Sequence, residues 1–243
     1  MTSVDGDPIR ISDLRAGYGG REVLSGLDLT VRRGEIFALL GGNGSGKSTT
    51  LMVLLGLLKP SGGTIRVAGF DPIAEPRRAR AKTAYIPESV ALYDHLSAWE
   101  NAEYFLGLAD VRVSRAELEN AFGDVGLPAE AWRRRVTGFS KGMRQKTALA
   151  VALLRRAEVL LLDEPTSGLD PGAAADFNAL IGRLREGGAA VLMVTHDLFG
   201  AVDAADRLGF LEAGRLAETR AAEGPERFDI ASLHSRFSRA RAA

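Results

Sequence analysis

With 243 residues, 46% of them hydrophobic, the chain has enough material for one α/β domain with a substantial core. Lysine plus arginine and aspartate plus glutamate both total 31, so no basic excess argues for nucleic acid or an anionic membrane surface. The chain has no cysteine, which excludes disulfides, thiolate metal sites and cysteine nucleophiles together.

Met1 to Pro8 is polar and acidic and lacks the charged-then-apolar layout of a secretory signal, so the chain is expected to stay in the cytosol. Ile9 to Leu14 and Val23 to Val31 alternate in polarity as half-solvated strands do. Arg15 to Gly20 between them reads as a glycine-rich turn that holds Tyr18. Ile36 to Leu40 is a short apolar run suited to a buried parallel strand. Gly41-Gly42-Asn43-Gly44-Ser45-Gly46-Lys47-Ser48 follows and fits the phosphate-binding pattern G-x-x-x-x-G-K-[ST] at every fixed position. Leu51, Leu54, Leu55 and Leu58 then recur at helical spacing, so the loop joins a strand to a helix. Glycines let backbone N–H groups converge on phosphate oxygens where a Cβ would block approach, and the helix N-terminus adds its positive dipole end. Lys47 would reach the β- and γ-phosphates, and Ser48 would offer its hydroxyl to a magnesium ion. A nucleotide site downstream makes Tyr18 a candidate platform for an adenine ring, beside the plainer reading of a packed loop aromatic. Leu51 to Leu58, the longest uncharged apolar stretch, is far short of the ~20 residues of a spanning helix.

Lys59 to Gly63 should end that helix, and Thr64 to Val67 reads as a further strand. The Arg77 to Lys82 run reads as the solvated face of a helix rather than a polyanion site. Tyr85, Tyr93, Trp99, Tyr104 and Phe105 concentrate aromatic rings locally, as either core or protein contact. Trp99 to Trp132 looks helical, with Ser114 as an N-cap and Glu117 as its capping-box partner. Val159 to Leu162 reads as a buried strand delivering Asp163 and Glu164 at its C-terminal end, where open α/β sheets bind ligands. Asp163 could hold magnesium through water, and Glu164, pointing the other way along the strand, could polarise an attacking water. Phe177, Leu180, Ile181 and Leu184 mark the crossover helix to a third strand, Ala189 to Thr195. His196 at the end of that strand is a candidate γ-phosphate contact rather than a solvated turn residue.

The phosphate loop, Phe139 to Gln145, Leu162 to Asp170 and Thr195-His196-Asp197 follow one another in the order and spacing of an ATP-binding cassette protein, which the chain resembles over about residues 9 to 220. The resemblance implies a P-loop NTPase fold of the α/β class. Its parts would be a mostly parallel core sheet, an N-terminal antiparallel β subdomain, a helical signature-motif subdomain over about 89–157, and a short tail at 221–243. It makes Tyr18 the adenine-stacking aromatic and Gly41, Gly42, Asn43, Gly44, Ser45, Gly46, Lys47, Ser48 and Thr49 the phosphate loop. Asp163 becomes the magnesium-associated carboxylate, Glu164 the catalytic one, and His196 the switch histidine. Ser140 and Gly142 resemble the signature that closes over ATP held by another subunit, and Asp170 belongs to the loop that touches that subunit.

Two departures stand out. Phe139, Lys141 and Met143 replace the first, third and fifth residues of the family's usual Leu-Ser-Gly-Gly-Gln, while Ser140 and Gly142 remain. Glu88 stands where the family usually has a glutamine that senses the γ-phosphate and meets the membrane subunit, which makes it a possible magnesium neighbour. Both resemble the branch of exporters with separate ATPase and membrane chains. The resemblance therefore implies an ATPase that uses ATP and Mg2+, pairs as a homodimer or heterodimer with a second ATP-binding subunit, and lies peripherally at the inner face of the cell membrane through separate integral membrane subunits. The alternative is a soluble ATPase of the same type acting on a non-transport partner.

Overall fold

The computed structural model describes residues 6–224 and 227–242, with 237–242 described through the backbone alone. Part of the polar Met1 to Pro8 stretch and part of the expected 221–243 tail therefore lie outside the described residues. In chain order the strands are β1 (Ile9–Tyr18), β2 (Arg21–Val31), β3 (Ile36–Leu40), β4 (Gly62–Val67), β5 (Thr83–Ile86), β6 (Val159–Asp163), β7 (Ala190–Thr195), β8 (Arg207–Glu212) and β9 (Arg215–Ala221). The α-helices are α1 (Lys47–Leu54), α2 (Pro76–Ala81), α3 (Ala98–Leu108), α4 (Arg115–Asp124), α5 (Lys141–Leu154), α6 (Pro171–Glu186), α7 (Leu198–Ala204) and α8 (Ile230–Ala242).

The central sheet runs β5-β6-β7-β3-β8-β9, parallel except for β9, and a separate antiparallel sheet runs β2-β1-β4. Every residue of β3 and β7 is buried, as the unbroken apolar runs require of strands covered on both faces. Successive side chains of the central strands serve opposite faces. Ile36, Ala38, Leu40, Leu160, Leu162 and Met193 pack toward the helices. Phe37, Leu39, Leu161, Leu192 and Val194 pack toward the antiparallel sheet and α1. The result is a layered molecule with a core on each side of one sheet.

Register sets the functional edge. Asp163 pairs with Val194, Leu40 with Thr195 and Ile86 with Leu162, so the C-terminal ends of β3, β5, β6 and β7 stop at one level. The residues just beyond those ends are therefore neighbours whatever their separation in sequence.

Several local expectations change. Arg15 to Tyr18 belongs to β1, and the turn is reduced to Gly19-Gly20, because register shifts after Ile11, Leu14 and Ala16 interrupt the alternation without ending the pairing. Helix α1 ends at Leu54, with Gly56 in the left-handed region just after it, and β4 begins already at Gly62. The Trp99 to Trp132 stretch is helical on both sides of the Ser114 cap, with Asp110 at φ 56 and Gly126 at φ 65 separating α3, α4 and a short 3-10 turn at Ala129–Ala131. The Ser114–Glu117 capping box is present, and Ser97–Glu100 forms a second one on α3. The aromatic group divides: Trp99 is core, whereas Tyr93 and Tyr104 are exposed and edge-packed on each other. Arg77, Arg78 and Arg80 lie on the exposed face of α2, as expected.

Candidate functional site

The loop after β3 carries no side-chain cap for α1. Its N-cap is Gly46 at φ 113, so the first N–H groups of the helix are left for a ligand. Lys47 folds back over the loop, donating from Nζ to the carbonyls of Gly41 at 2.7 Å and Gly42 at 3.1 Å. Burial pushes its ammonium below the ordinary lysine value, opposed by the charges of Glu164 and Asp163.

An open pocket of about 860 Å³ lies over this loop. Gly42, Asn43, Gly44, Gly46, Lys47, Ser48 and Thr49 form its floor. Glu88, Asp163, Glu164 and His196 close one side, and Tyr18 with Arg21 and Val23 the other. Gly41 and Ser45 belong to the loop without facing the pocket. Tyr18 is the last residue of β1 and 54% exposed, which leaves its ring free to meet a flat ligand. The turn between β8 and β9 ties β2 to the loop after β3: Ser25 of β2 donates to the carbonyl of Gly214, and Gly214 N–H donates to the carbonyl of Ser45.

Asp163 ends β6 with Tyr85 of β5 donating to its Oδ2 at 3.3 Å. Burial raises the Asp163 carboxyl above the usual carboxylate range; the Tyr85 hydroxyl and Lys47 oppose this, and the charges of Glu164 and Glu88 add to it. Burial, with the charge of Asp163, pushes the Tyr85 hydroxyl up to about 12.

Glu164 does not continue β6 on its opposite face. It lies past the strand in the left-handed region at φ 44, which turns its side chain toward the end of β7. Its N–H donates to Val194 O at 2.9 Å. Oε2 accepts from Thr195 Oγ1 at 2.8 Å and from His196 N–H at 3.1 Å, while His196 Nδ1 stands 2.8 Å from Oε1. Glu88, beyond β5, accepts from Ser167 Oγ at 3.2 Å.

Ser140, Gly142 and Asp170 are not brought to this pocket within one chain. Ser140 caps α5 by accepting from Met143 N–H at 3.2 Å, and with Gly142 lines a separate hollow of about 160 Å³. Asp170 caps α6 by accepting from Ala173 N–H at 2.9 Å. Lys141 and Gln145 of α5 donate to the carbonyls of Ser167 and Pro165, tying the start of α5 to the segment between Glu164 and Asp170. Sequence reasoning missed Tyr85, Thr195 and Arg21. Thr195 had a signal, as the residue between a buried strand and His196, whereas Tyr85 had none beyond its place in an aromatic cluster.

The profile of a family described as ABC transporter matches residues 24–167. The daunorubicin resistance ATP-binding protein DrrA3 of Streptomyces coeruleorubidus is 36% identical over 91% of this chain and 72% of its own length. A solved ATP-binding subunit of an ABC transporter is 31% identical with a TM-score of 0.78, over 97% of this chain and 95% of that one. A bacterial ABC transporter cassette solved as a dimer is 25% identical with a TM-score of 0.76, over 89% of this chain and 99% of its own.

Proposed function

Given that the chain belongs to the family of ABC transporter ATP-binding subunits, which bind and hydrolyse ATP, we propose that it powers export through separate membrane-spanning chains. The carrying observation is the convergence of Lys47, Ser48, Asp163, Glu164 and His196 on one pocket over the phosphate loop. The relative named for daunorubicin resistance supports export over uptake. Among the described residues no helix is long and apolar enough to cross a membrane, so a spanning path has to come from other chains or from outside those residues.

In this reading Tyr18 stacks the adenine ring, and the N–H groups of Gly42 to Thr49 receive the phosphates. Lys47 exchanges two carbonyl partners for phosphate oxygens, and His196 meets the γ-phosphate. The oxygen donors Ser48, Asp163 and Glu88 fit magnesium. Among the described residues no group of three His, Asp or Glu side chains forms a cage, and magnesium favours one or two carboxylates completed by water and phosphate. When bound, the ion would neutralise charge on the phosphates. Glu164 orients and polarises the attacking water.

Ser140, Gly142 and Asp170 serve a nucleotide held by a second ATP-binding subunit, with residues of about 89–157 acting as the helical unit that presents the signature and 221–243 as a tail. The solved dimer of a related cassette supports this pairing. The membrane chain docks in a groove of about 920 Å³ between the central sheet and the helical unit, walled by Val90, Phe105 and Leu108 and edged by Arg77, Arg80 and Arg155. Pro87 and Val90 line it on either side of Glu88. The chain thereby sits at the inner face of the cell membrane.

Glu164→Gln tests the reading, because the amide keeps the shape and is a poor base. The variant should bind ATP nearly as the parent does, lose hydrolysis, and form a nucleotide-dependent dimer in size-exclusion chromatography with light scattering, run on the complex with its membrane chains and on the chain alone. Parental hydrolysis removes Glu164 from the mechanism. An inactive variant that stays unpaired in both preparations removes the two-subunit site.

A further inference from the structure

We infer that Thr195 is a positioning residue for hydrolysis, whose hydroxyl fixes one carboxylate oxygen of Glu164 so that the other is presented to water; the inference rests on Glu164 being the water-polarising group. Thr195 is the last residue of β7 and only 1% exposed, so its side chain is closely packed. Its Oγ1 accepts from Asp197 N–H at 3.0 Å and donates to Glu164 Oε2 at 2.8 Å. A hydroxyl has a single proton. The donation from Asp197 turns the lone pairs toward the start of α7 and aims that proton at Glu164.

Oε2 receives a second donor, the His196 N–H at 3.1 Å. With two donors on one oxygen, the carboxylate cannot rotate about its last bond without breaking both. Among the described residues Oε1 has no backbone or hydroxyl donor and faces the imidazole of His196 at 2.8 Å, a group 51% exposed and able to swing aside. The two oxygens are therefore unequal: Oε2 is anchored to the sheet, and Oε1 is the one available to a water over the phosphate loop. The left-handed backbone at Glu164, φ 44, adds to the need for an anchor, because the side chain leaves the strand there rather than continuing its direction. Near-attack geometry is sensitive to small displacements, so losing the anchor lowers turnover without touching the groups that hold ATP.

The test compares Thr195→Val, which keeps the shape and removes the hydroxyl, with Thr195→Ser, which keeps the hydroxyl. Both are measured in the full chain with its membrane partner, with kcat counted per nucleotide-binding site. Thr195→Val should lower kcat on the order of tenfold, the loss of one hydrogen bond to a charged group, with KM for ATP and ATP affinity changed less than about twofold. Thr195→Ser should recover most of kcat. If the valine variant does not fold, Thr195→Ala against Thr195→Ser makes the same comparison, since both lack the methyl and only serine keeps the proton. A hydroxyl-free variant with parental kcat overturns the inference, even if its Tm is lower. So does a serine variant no faster than the alanine one. An active Glu164→Gln would instead overturn the underlying assignment.

Discussion

Replacing Gly46 by alanine isolates the cost of the phosphate loop's geometry. Gly46 sits at φ 113, ψ 4 as N-cap of α1, a region that side-chain-bearing residues enter at a cost of ~1–3 kcal/mol. A Cβ there would stand 2.6 Å from Leu24 Cδ2. Leu24 is fully buried in β2 and cannot swing into solvent, so the crowding adds an overpacking cost of ~1–3 kcal/mol. The sum, roughly 2–6 kcal/mol, would be a large fraction of a typical domain's stability. Gly42, in the same loop, is the control: it is absent from the positive-φ residues, and a Cβ there would meet nothing within 4 Å. Gly42→Ala should therefore be neutral or stabilise by up to about 1 kcal/mol through the unfolded chain. Urea unfolding of the nucleotide-free variants, followed by circular dichroism, measures both. A Gly46→Ala midpoint indistinguishable from that of Gly42→Ala would refute the argument.

Two further predictions concern the acidic side of the pocket. Burial and the charges of Glu164 and Glu88 hold Asp163 above its ordinary value, so the folded chain binds its proton more tightly than the unfolded chain. Its contribution favours folding below the unfolded pKa, about 3.9, and is lost as pH rises through the folded one. Asp163→Asn should thus raise the nucleotide-free Tm at about pH 7, by an amount that shrinks toward about pH 4, in scanning calorimetry; a lower Tm at neutral pH contradicts this. Glu88→Gln should weaken the apparent magnesium affinity severalfold in a titration of nucleotide binding, because an anionic oxygen becomes neutral. An unchanged titration leaves Glu88 with Ser167 as its partner and no role toward the ion.

The features legible in the sequence are those written in consecutive residues. The phosphate loop is one such run, and β3, β6 and β7 are apolar runs of the length a covered strand needs. The Ser114–Glu117 box depends on a spacing of three and no tertiary partner. What stayed hidden depends on strand order. Tyr85 meets Asp163 only because β5 lies beside β6, a neighbourhood that local pattern does not state. Within the 99–132 stretch the Ser114 cap marks the start of α4, but Val111 and Val113, in the connection after α3, pack against the core and prolong the apolar rhythm past the end of α3. Period-two alternation carries Glu164 onto the strand because it has no place for a left-handed residue immediately after one.

The β8–β9 turn has a consequence for how the chain can vary. Hairpin tips on a surface usually accept insertions. This one is a two-residue connection with both Ala213 and Gly214 at positive φ, at 46° and 75°, the geometry that matches the twist of paired strands. A Cβ on Gly214 would stand 2.1 Å from Val23 O. The same residue donates its N–H to Ser45 of the phosphate loop and accepts at its carbonyl from Ser25 of β2. An extra residue here would shift both bonds at once and move β2 relative to the loop after β3. The hairpin therefore fixes the spacing between β2 and the loop after β3, and its tip is a poor place to lengthen the chain.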